Sequence, residues 1–252
     1  MCHGPLSLAP PPPRPGSIRV TGAVTLAAAD DAPVPAYAAL PEGRERYRGR
    51  VVLLPDVRGL HPFYTALARR FAEAGFATVA IDLYGRTAGG HLRDPEFAWR
   101  PHMPEVREAQ VDADVRAALD HLDEVDRHPG GPAFTVGFCF GGGHSWRLAG
   151  SDLPLAGTIG FYGLPHLVTG ELRPGRAPTL MLLAGRDEET PAPAYEELTA
   201  RLDAAGARYE AHTYPEAPHS FFDRAGDRWA PACQDAWRRL LAFTGRLEPG
   251  RR

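Results

Sequence analysis

Uninterrupted apolar runs recur along the 252-residue chain, each followed by a helical pattern and a short connection. "RVVLLP" at 50–55, "FATVAID" at 76–82 and "AFTVGF" at 133–138 are of this kind, as are "LAGTIGFYG" and "TLMLLAGRD" further on. A strand wetted on one face alternates polar with apolar residues, whereas a strand apolar throughout is covered on both faces. Residues 62–75 read as a helix. Phe63, Leu67 and Phe71 fall at spacing four, Pro62 suits a first turn, and Gly75 ends it. Residues 105–126 carry Val111, Val115, Leu119 and Leu122 on one helical stripe. Further helices are expected after residue 139, over 192–205 and over 227–243. This alternation leaves one architecture: an α/β fold whose mostly parallel central sheet, of about eight strands, is covered by helices on both faces.

The two ends of the sheet read differently. Residues 18–26 and 36–40, split by the turn signal Asp30-Asp31-Ala32-Pro33, look like an opening antiparallel pair. "ARYEAHTY" at 207–214 reads as the last strand, with His212 in a structural role. Before the first strand, Pro10-Pro11-Pro12-Pro13 favours extended polyproline II, so residues 1–17 are expected to form a flexible tail and residues 18–252 a single domain.

Composition narrows the function. Acids and bases are mixed along the chain and the formal net charge is −3, which suits neither nucleic acid nor an anionic membrane surface as partner. No apolar run approaches the roughly 20 residues that span a bilayer. The start lacks the basic-then-apolar pattern of a signal peptide. Three cysteines, Cys2, Cys139 and Cys233, make no disulfide framework, so reduced thiols and a cytoplasmic setting are expected. No Cys/His spacing suits a zinc site.

The chemistry gathers at three strand ends. Cys139 stands in "GFCFGGG", Asp187 ends "TLMLLAGRD", and His219 follows the last strand in "APHSFF". A buried structural cysteine has no need of a glycine-rich bend. A nucleophile presented on a sharp strand-to-helix turn does, because side chains two residues to either side would collide. A thiol there meets the positive end of a helix dipole, which favours thiolate. His219 can take the thiol proton and Asp187 can orient it. The amide of Phe140 and one from the loop after "VVLLP", that of Val57, are positioned to hold an oxyanion. Each residue alone has an ordinary structural explanation: an inert thiol, a helix-capping acid, an exposed histidine. Asp152 is the alternative acid, but it precedes a strand. The chain order nucleophile, acid, histidine is the order of the α/β hydrolases. Around the predicted mouth, His61, His91 and His102 lie in loops. Arg86, Arg93, Arg100 and Arg107 interleave with Trp99, and Arg100 beside Trp99 is the candidate to hold a substrate anion.

The motifs "PDVRGLHPFYTALARRFAEAGFATVAIDLYGRTAG", "GFCFGGG", "GFYG", "LAGRDEETP" and "APHSFF" resemble those of the dienelactone hydrolases, over residues 50–222. The resemblance implies a single α/β-hydrolase domain, a Cys139–His219–Asp187 triad, oxyanion donors on Phe140 and Val57, and neither metal nor organic cofactor. It places Asp56 beside the nucleophile, where family members carry a glutamate. Arg58, Tyr162 and Ser220, inside the matching motifs, are candidate substrate neighbours, as are Trp99 and Arg100 of the arginine-rich loop. After the histidine, Asp223 stands where family members carry a clamp arginine, and Arg224 follows one place later. The activity implied is hydrolysis of a small ester or lactone through an acyl-thioester. A thioesterase or acyltransferase would use the same triad and intermediate, and a non-catalytic binding protein would use the fold alone.

Overall fold

The computed structural model describes residues 7–43, 47–90, 92–125, 131–169, 177–223 and 228–247. Cys2, His3, His91, Arg224 and Asp227 lie outside them. The elements run β1 (Ile18–Ala27), β2 (Pro33–Pro41), β3 (Gly49–Leu54), α1 (Pro62–Ala74), β4 (Phe76–Ile81), α2 (Gly85–Ala88), α3 (Glu108–Val125), β5 (Ala133–Phe138), α4 (Phe140–Leu148), β6 (Gly157–Phe161), β7 (Thr179–Arg186), α5 (Ala192–Ala204), β8 (Tyr209–Pro218) and α6 (Ala230–Arg246). They build an eight-stranded sheet in the order β1-β2-β4-β3-β5-β6-β7-β8.

The apolar runs fall where burial requires them. β3, β4, β5 and β6 are buried at every position. From β4 to β8 every neighbouring pair is parallel, while β1–β2 and β2–β4 are antiparallel. One face packs Phe63, Leu67 and Phe71 of α1 with Trp237 and Leu240 of α6. The other packs Val111, Val115, Leu119 and Leu122 of α3. His61 caps α1 by accepting the Phe63 N–H at Nδ1, and Gly75 closes it in left-handed geometry at φ 99.

The structure differs from the sequence reading in three places. α3 starts at Glu108 rather than at residue 105, because Pro104 sits in a 3₁₀ turn over Met103–Glu105 that ends with Val106 extended. β8 runs through Pro215 to Pro218, since the register between β7 and β8 slips between Ala184 and Arg186 and takes the irregularity. The described part of the expected N-terminal tail is packed. Ala9 is buried, the Pro10 carbonyl accepts the Trp237 indole N–H at 3.1 Å, and the Ala9 carbonyl accepts Arg70 Nε at 3.3 Å. A proline run carries carbonyls but no N–H groups, so it can be strapped across α1 and α6 by outside donors without leaving its own donors unmet. Among the described residues no helix is long and apolar enough to cross a membrane.

α4 carries a buried titratable group. The His144 ring meets Phe140 edge-on at 4.6 Å, and neither ring nitrogen has a hydrogen-bond partner among the described residues. Burial, with Arg147 and His166 adding to it, pulls its pKa down to about 3. An unfolded histidine titrates near 6.5. Between those values the unfolded chain binds a proton that the folded chain refuses. Stability from this site is therefore complete above about pH 6.5 and is lost as pH falls toward 3. Urea midpoints should drop between pH 7 and pH 5 in the wild type, and less steeply in His144→Leu. Parallel slopes for the two proteins would remove His144 from the account.

Candidate active site

The centre of the sheet delivers Cys139, the candidate nucleophile. β5 ends at Phe138 and α4 begins at Phe140, leaving Cys139 alone to make the turn at φ 52 and ψ −112. A non-glycine residue held there is strained, and the surroundings must hold it. They do so from two sides. The Cys139 N–H donates to Phe161 O at 3.0 Å, and the Gly141 N–H donates to Pro55 O at 3.1 Å. The turn is too tight for side chains on either flank. A Cβ on Gly137 would lie 1.9 Å from Gly141 O, and one on Gly141 would lie 2.1 Å from Leu54 O. Cys139 itself is 5% exposed.

The candidate acid and histidine come from strands farther along the same edge. Asp187 follows β7 and His219 follows β8. His219 Nδ1 lies 2.9 Å from each Asp187 carboxylate oxygen, and the two side chains are 7% and 1% exposed. Asp187 is fixed from behind: Oδ1 accepts the N–H groups of Glu189 and Thr190, both at 2.9 Å, and Oδ2 accepts the Tyr195 hydroxyl at 3.2 Å. A carboxylate so held has one productive direction left, toward the imidazole. The histidine ring packs 5.0 Å from Tyr162, which follows β6. Since the Cys139 N–H donates to Phe161 O at the end of that strand, the backbone of the cysteine turn and the histidine ring both border the end of β6. Asp152 precedes β6 and so belongs to the opposite edge of the sheet.

The loop after β3 borders the turn, because Leu54 pairs with Gly137. Val57 and Phe140 thus sit on facing segments, and the Val57 carbonyl accepts the Tyr84 hydroxyl at 2.9 Å. The loop is pinned further by Asp82, whose Oδ1 accepts the Leu60 N–H at 2.9 Å and whose Oδ2 accepts Arg93 Nε at 3.0 Å. Asp56 is fully buried. It accepts the Arg58 N–H at 2.9 Å, as a turn-forming aspartate does, and also pairs with the Arg58 guanidinium.

The expected substrate neighbours separate into two groups. Arg58, Tyr162 and Ser220 join the site but are turned inward. Tyr162 and Ser220 are fully buried, and the Tyr162 hydroxyl donates to Asp223 at 2.9 Å. Trp99 is half-buried, and exposed Arg100 stacks over it at 4.7 Å. Their loop touches the site through Phe97 and His102, which pack on Tyr84. Of the other arginines, Arg86 pairs with Asp30 and Asp114, Arg93 with Asp82, and Arg107 with Glu105. Tyr195 escaped the sequence reading, because nothing local distinguishes a tyrosine on the first turn of α5. Cys233 is no rival thiol: burial pushes it up to about 12, and the nearby Asp223 charge adds to this. Among the described residues no cluster of three or more His, Cys, Asp or Glu side chains is placed to hold a metal.

An open, mostly parallel sheet with a strained strand-to-helix turn at its centre defines an α/β hydrolase. The chain belongs to the dienelactone hydrolase family, whose sequence profile matches residues 34–247. A Salmonella typhi protein named "Putative carboxymethylenebutenolidase" is 31% identical over 229 residues, covering 83% of this chain and 82% of that one. The crystal structure of a "Putative Dienelactone Hydrolase" from Klebsiella pneumoniae superposes with a TM-score of 0.74 at 27% identity, covering 91% and 99% of the two chains. A dienelactone hydrolase-like promiscuous phosphotriesterase from metagenomic libraries shares the fold, with a TM-score of 0.73 at 22% identity and coverage of 91% and 100%.

Proposed function

We propose that this hydrolase cleaves small esters or lactones through Cys139, His219 and Asp187, by way of an acyl-thioester. The observation that carries the reading is the Asp187–His219 contact at 2.9 Å, on the sheet edge where Cys139 makes its strained turn. The Cys139 thiolate attacks the carbonyl carbon, and the carbonyl electrons move onto oxygen. The amides of Phe140 and Val57 receive that oxyanion. Imidazolium His219 gives its proton to the departing alkoxide or enolate as the tetrahedral centre collapses to the thioester. Neutral His219 then takes a proton from water, which attacks the thioester, and the carboxylic acid leaves with the thiolate restored. Asp187 keeps Nδ1 protonated, so that Nε2 faces the reaction in both halves.

A thiolate is itself readily expelled, so leaving groups better than an amide nitrogen are the natural substrates. A lactone or enol ester meets that condition. The test is turnover of 4-nitrophenyl acetate before and after treatment with iodoacetamide. Loss of turnover in proportion to labelling at Cys139 supports the reading. Turnover that survives complete labelling of Cys139 refutes it.

A further inference from the structure

We infer that Tyr84 is a positioning residue for the oxyanion hole: its hydroxyl fixes the peptide between Val57 and Arg58, and so aims the Val57 N–H. The inference rests on the ester-hydrolase reading above and adds to it the residue that orders one of the two oxyanion donors. Residues 56–59 form a turn closed by the Gly59 N–H, which donates to Asp56 O at 3.0 Å. The neighbouring donors are taken as well. The Asp56 N–H donates to the Tyr64 hydroxyl at 3.1 Å, the Arg58 N–H to Asp56 Oδ1 at 2.9 Å, the Leu60 N–H to Asp82 Oδ1 at 2.9 Å and the His61 N–H to Gly59 O at 2.7 Å. Along this loop only the Val57 N–H has no hydrogen-bond partner among the described residues.

The Val57–Arg58 peptide is the central one of the turn. Turn types differ by rotation of that peptide, which is therefore its easiest motion. Its N–H is held by Asp56, and its carbonyl accepts the Tyr84 hydroxyl at 2.9 Å. Tyr84 is itself braced. It is fully buried, its ring packs on Phe97 and His102, and the Arg93 guanidinium lies over Phe97 at 4.6 Å. Arg93 pairs with Asp82 and donates its own N–H to Leu60 O at 2.9 Å, so the brace returns to the loop it supports. The ring and the turn fit closely, since a Cβ on Gly59 would lie 2.9 Å from Tyr84 Cδ2. Burial, the carboxylates of Asp56 and Asp82 and then a charge on Cys139 push the Tyr84 hydroxyl far above the usual phenol range, so it remains a donor when the thiolate forms. Without that donor the Val57 carbonyl is unpaired and its peptide can rotate. The N–H on the other side of the Val57 Cα is then no longer aimed in advance of the reaction.

The experiment compares the wild type with Tyr84→Phe, which keeps the ring and removes the donor. It measures hydrolysis of 4-nitrophenyl acetate, inhibition by trifluoroacetone and alkylation of Cys139 by iodoacetamide. The ketone gains a C–S bond to the thiolate while its carbonyl electrons move onto oxygen, so its adduct needs the oxyanion hole. Alkylation displaces iodide at a saturated carbon and forms no oxyanion. In Tyr84→Phe, kcat/KM should fall about tenfold, less than the roughly hundredfold or more of losing a donor outright, and the inhibition constant of the ketone should rise by a similar factor. The alkylation rate should stay near the wild-type value. A tyrosine that only satisfies a buried carbonyl would lower the unfolding midpoint and leave kcat/KM as it was, which overturns the inference with the hydrolase reading intact. Equal losses in hydrolysis and alkylation overturn it too, because they place the effect on the thiol. If Tyr84→Phe does not fold, Phe97→Leu, which loosens the ring and keeps the hydroxyl, decides by the same measurements: a smaller loss in hydrolysis and ketone binding is expected, with none in alkylation, and no loss at all overturns the inference. A wild type that hydrolyses no ester sinks the hydrolase reading, and the inference falls with it.

Discussion

His219→Ala and Asp187→Asn should each lower kcat by about a hundredfold or more, and the double mutant should be little slower than the worse single. The reason lies in the contact between them. Asp187 has its oxygens fixed by two backbone N–H groups and Tyr195, so it can hold the imidazole in one tautomer and one orientation. Asn in its place presents an amide that can turn its NH₂ toward Nδ1 and favour the wrong tautomer. Without His219 there is no base left for Asp187 to orient, so losing both costs little more than losing one. Strictly additive losses, measured as kcat on an activated ester, would mean that the two act separately. An unchanged Asp187→Asn enzyme would contradict the assignment outright. Tyr195→Phe, which removes one support and leaves the pair, should cost far less.

Gly141→Ala should cost about 3 kcal/mol or more, or prevent folding, although it adds a single methyl group. The added Cβ would lie 2.1 Å from Leu54 O and 2.4 Å from Pro55 O, and both are backbone atoms of the neighbouring strand and loop. No rotamer relieves a clash with backbone. Relief requires moving α4 away from β3, which also breaks the hydrogen bond from Gly141 N–H to Pro55 O and loosens the turn that strains Cys139. Gly22 in β1 is the control. Nothing lies within 4 Å of a Cβ built there, so Gly22→Ala should change the unfolding midpoint little. Similar midpoints for the two variants would show that the turn tolerates expansion, and with it that the backbone strain at Cys139 is not held by its neighbours.

The parts of this structure that were legible in the sequence are those governed by local pattern. β3 to β6 announced themselves because burial on both faces leaves few polar residues, here Arg50, Thr78, Thr135 and Thr158. The strand-end positions of Cys139, Asp187 and His219 were legible because each stands beside residues that break the pattern, in an order that one fold uses. What escaped depends on contacts distant in sequence. The Pro10 carbonyl meets Trp237 across 227 positions, so the strap could not be told from a free tail. Asp56, Arg58, Tyr162 and Asp223 read separately as a turn former, a substrate contact, a second contact and a missing arginine. Asp56 and Arg58 meet within one loop, but only the sheet order brings Tyr162 and Asp223 to them. Tyr162 and Ser220 were expected to face a ligand. Their positive φ values of 37 and 61, set by the crowded ends of β6 and β8, are instead combined with full burial.

The most direct test of the catalytic reading is the mass of the protein during turnover. Mixed with excess 4-nitrophenyl acetate and quenched in acid within the first turnovers, the wild type should carry one added acetyl group. Peptide mapping should place it on Cys139, as a thioester that hydroxylamine removes. Cys139→Ala should carry none and should release no burst of nitrophenol. An acetyl group on another residue, or steady turnover by Cys139→Ala at the wild-type rate, would contradict the account at its centre.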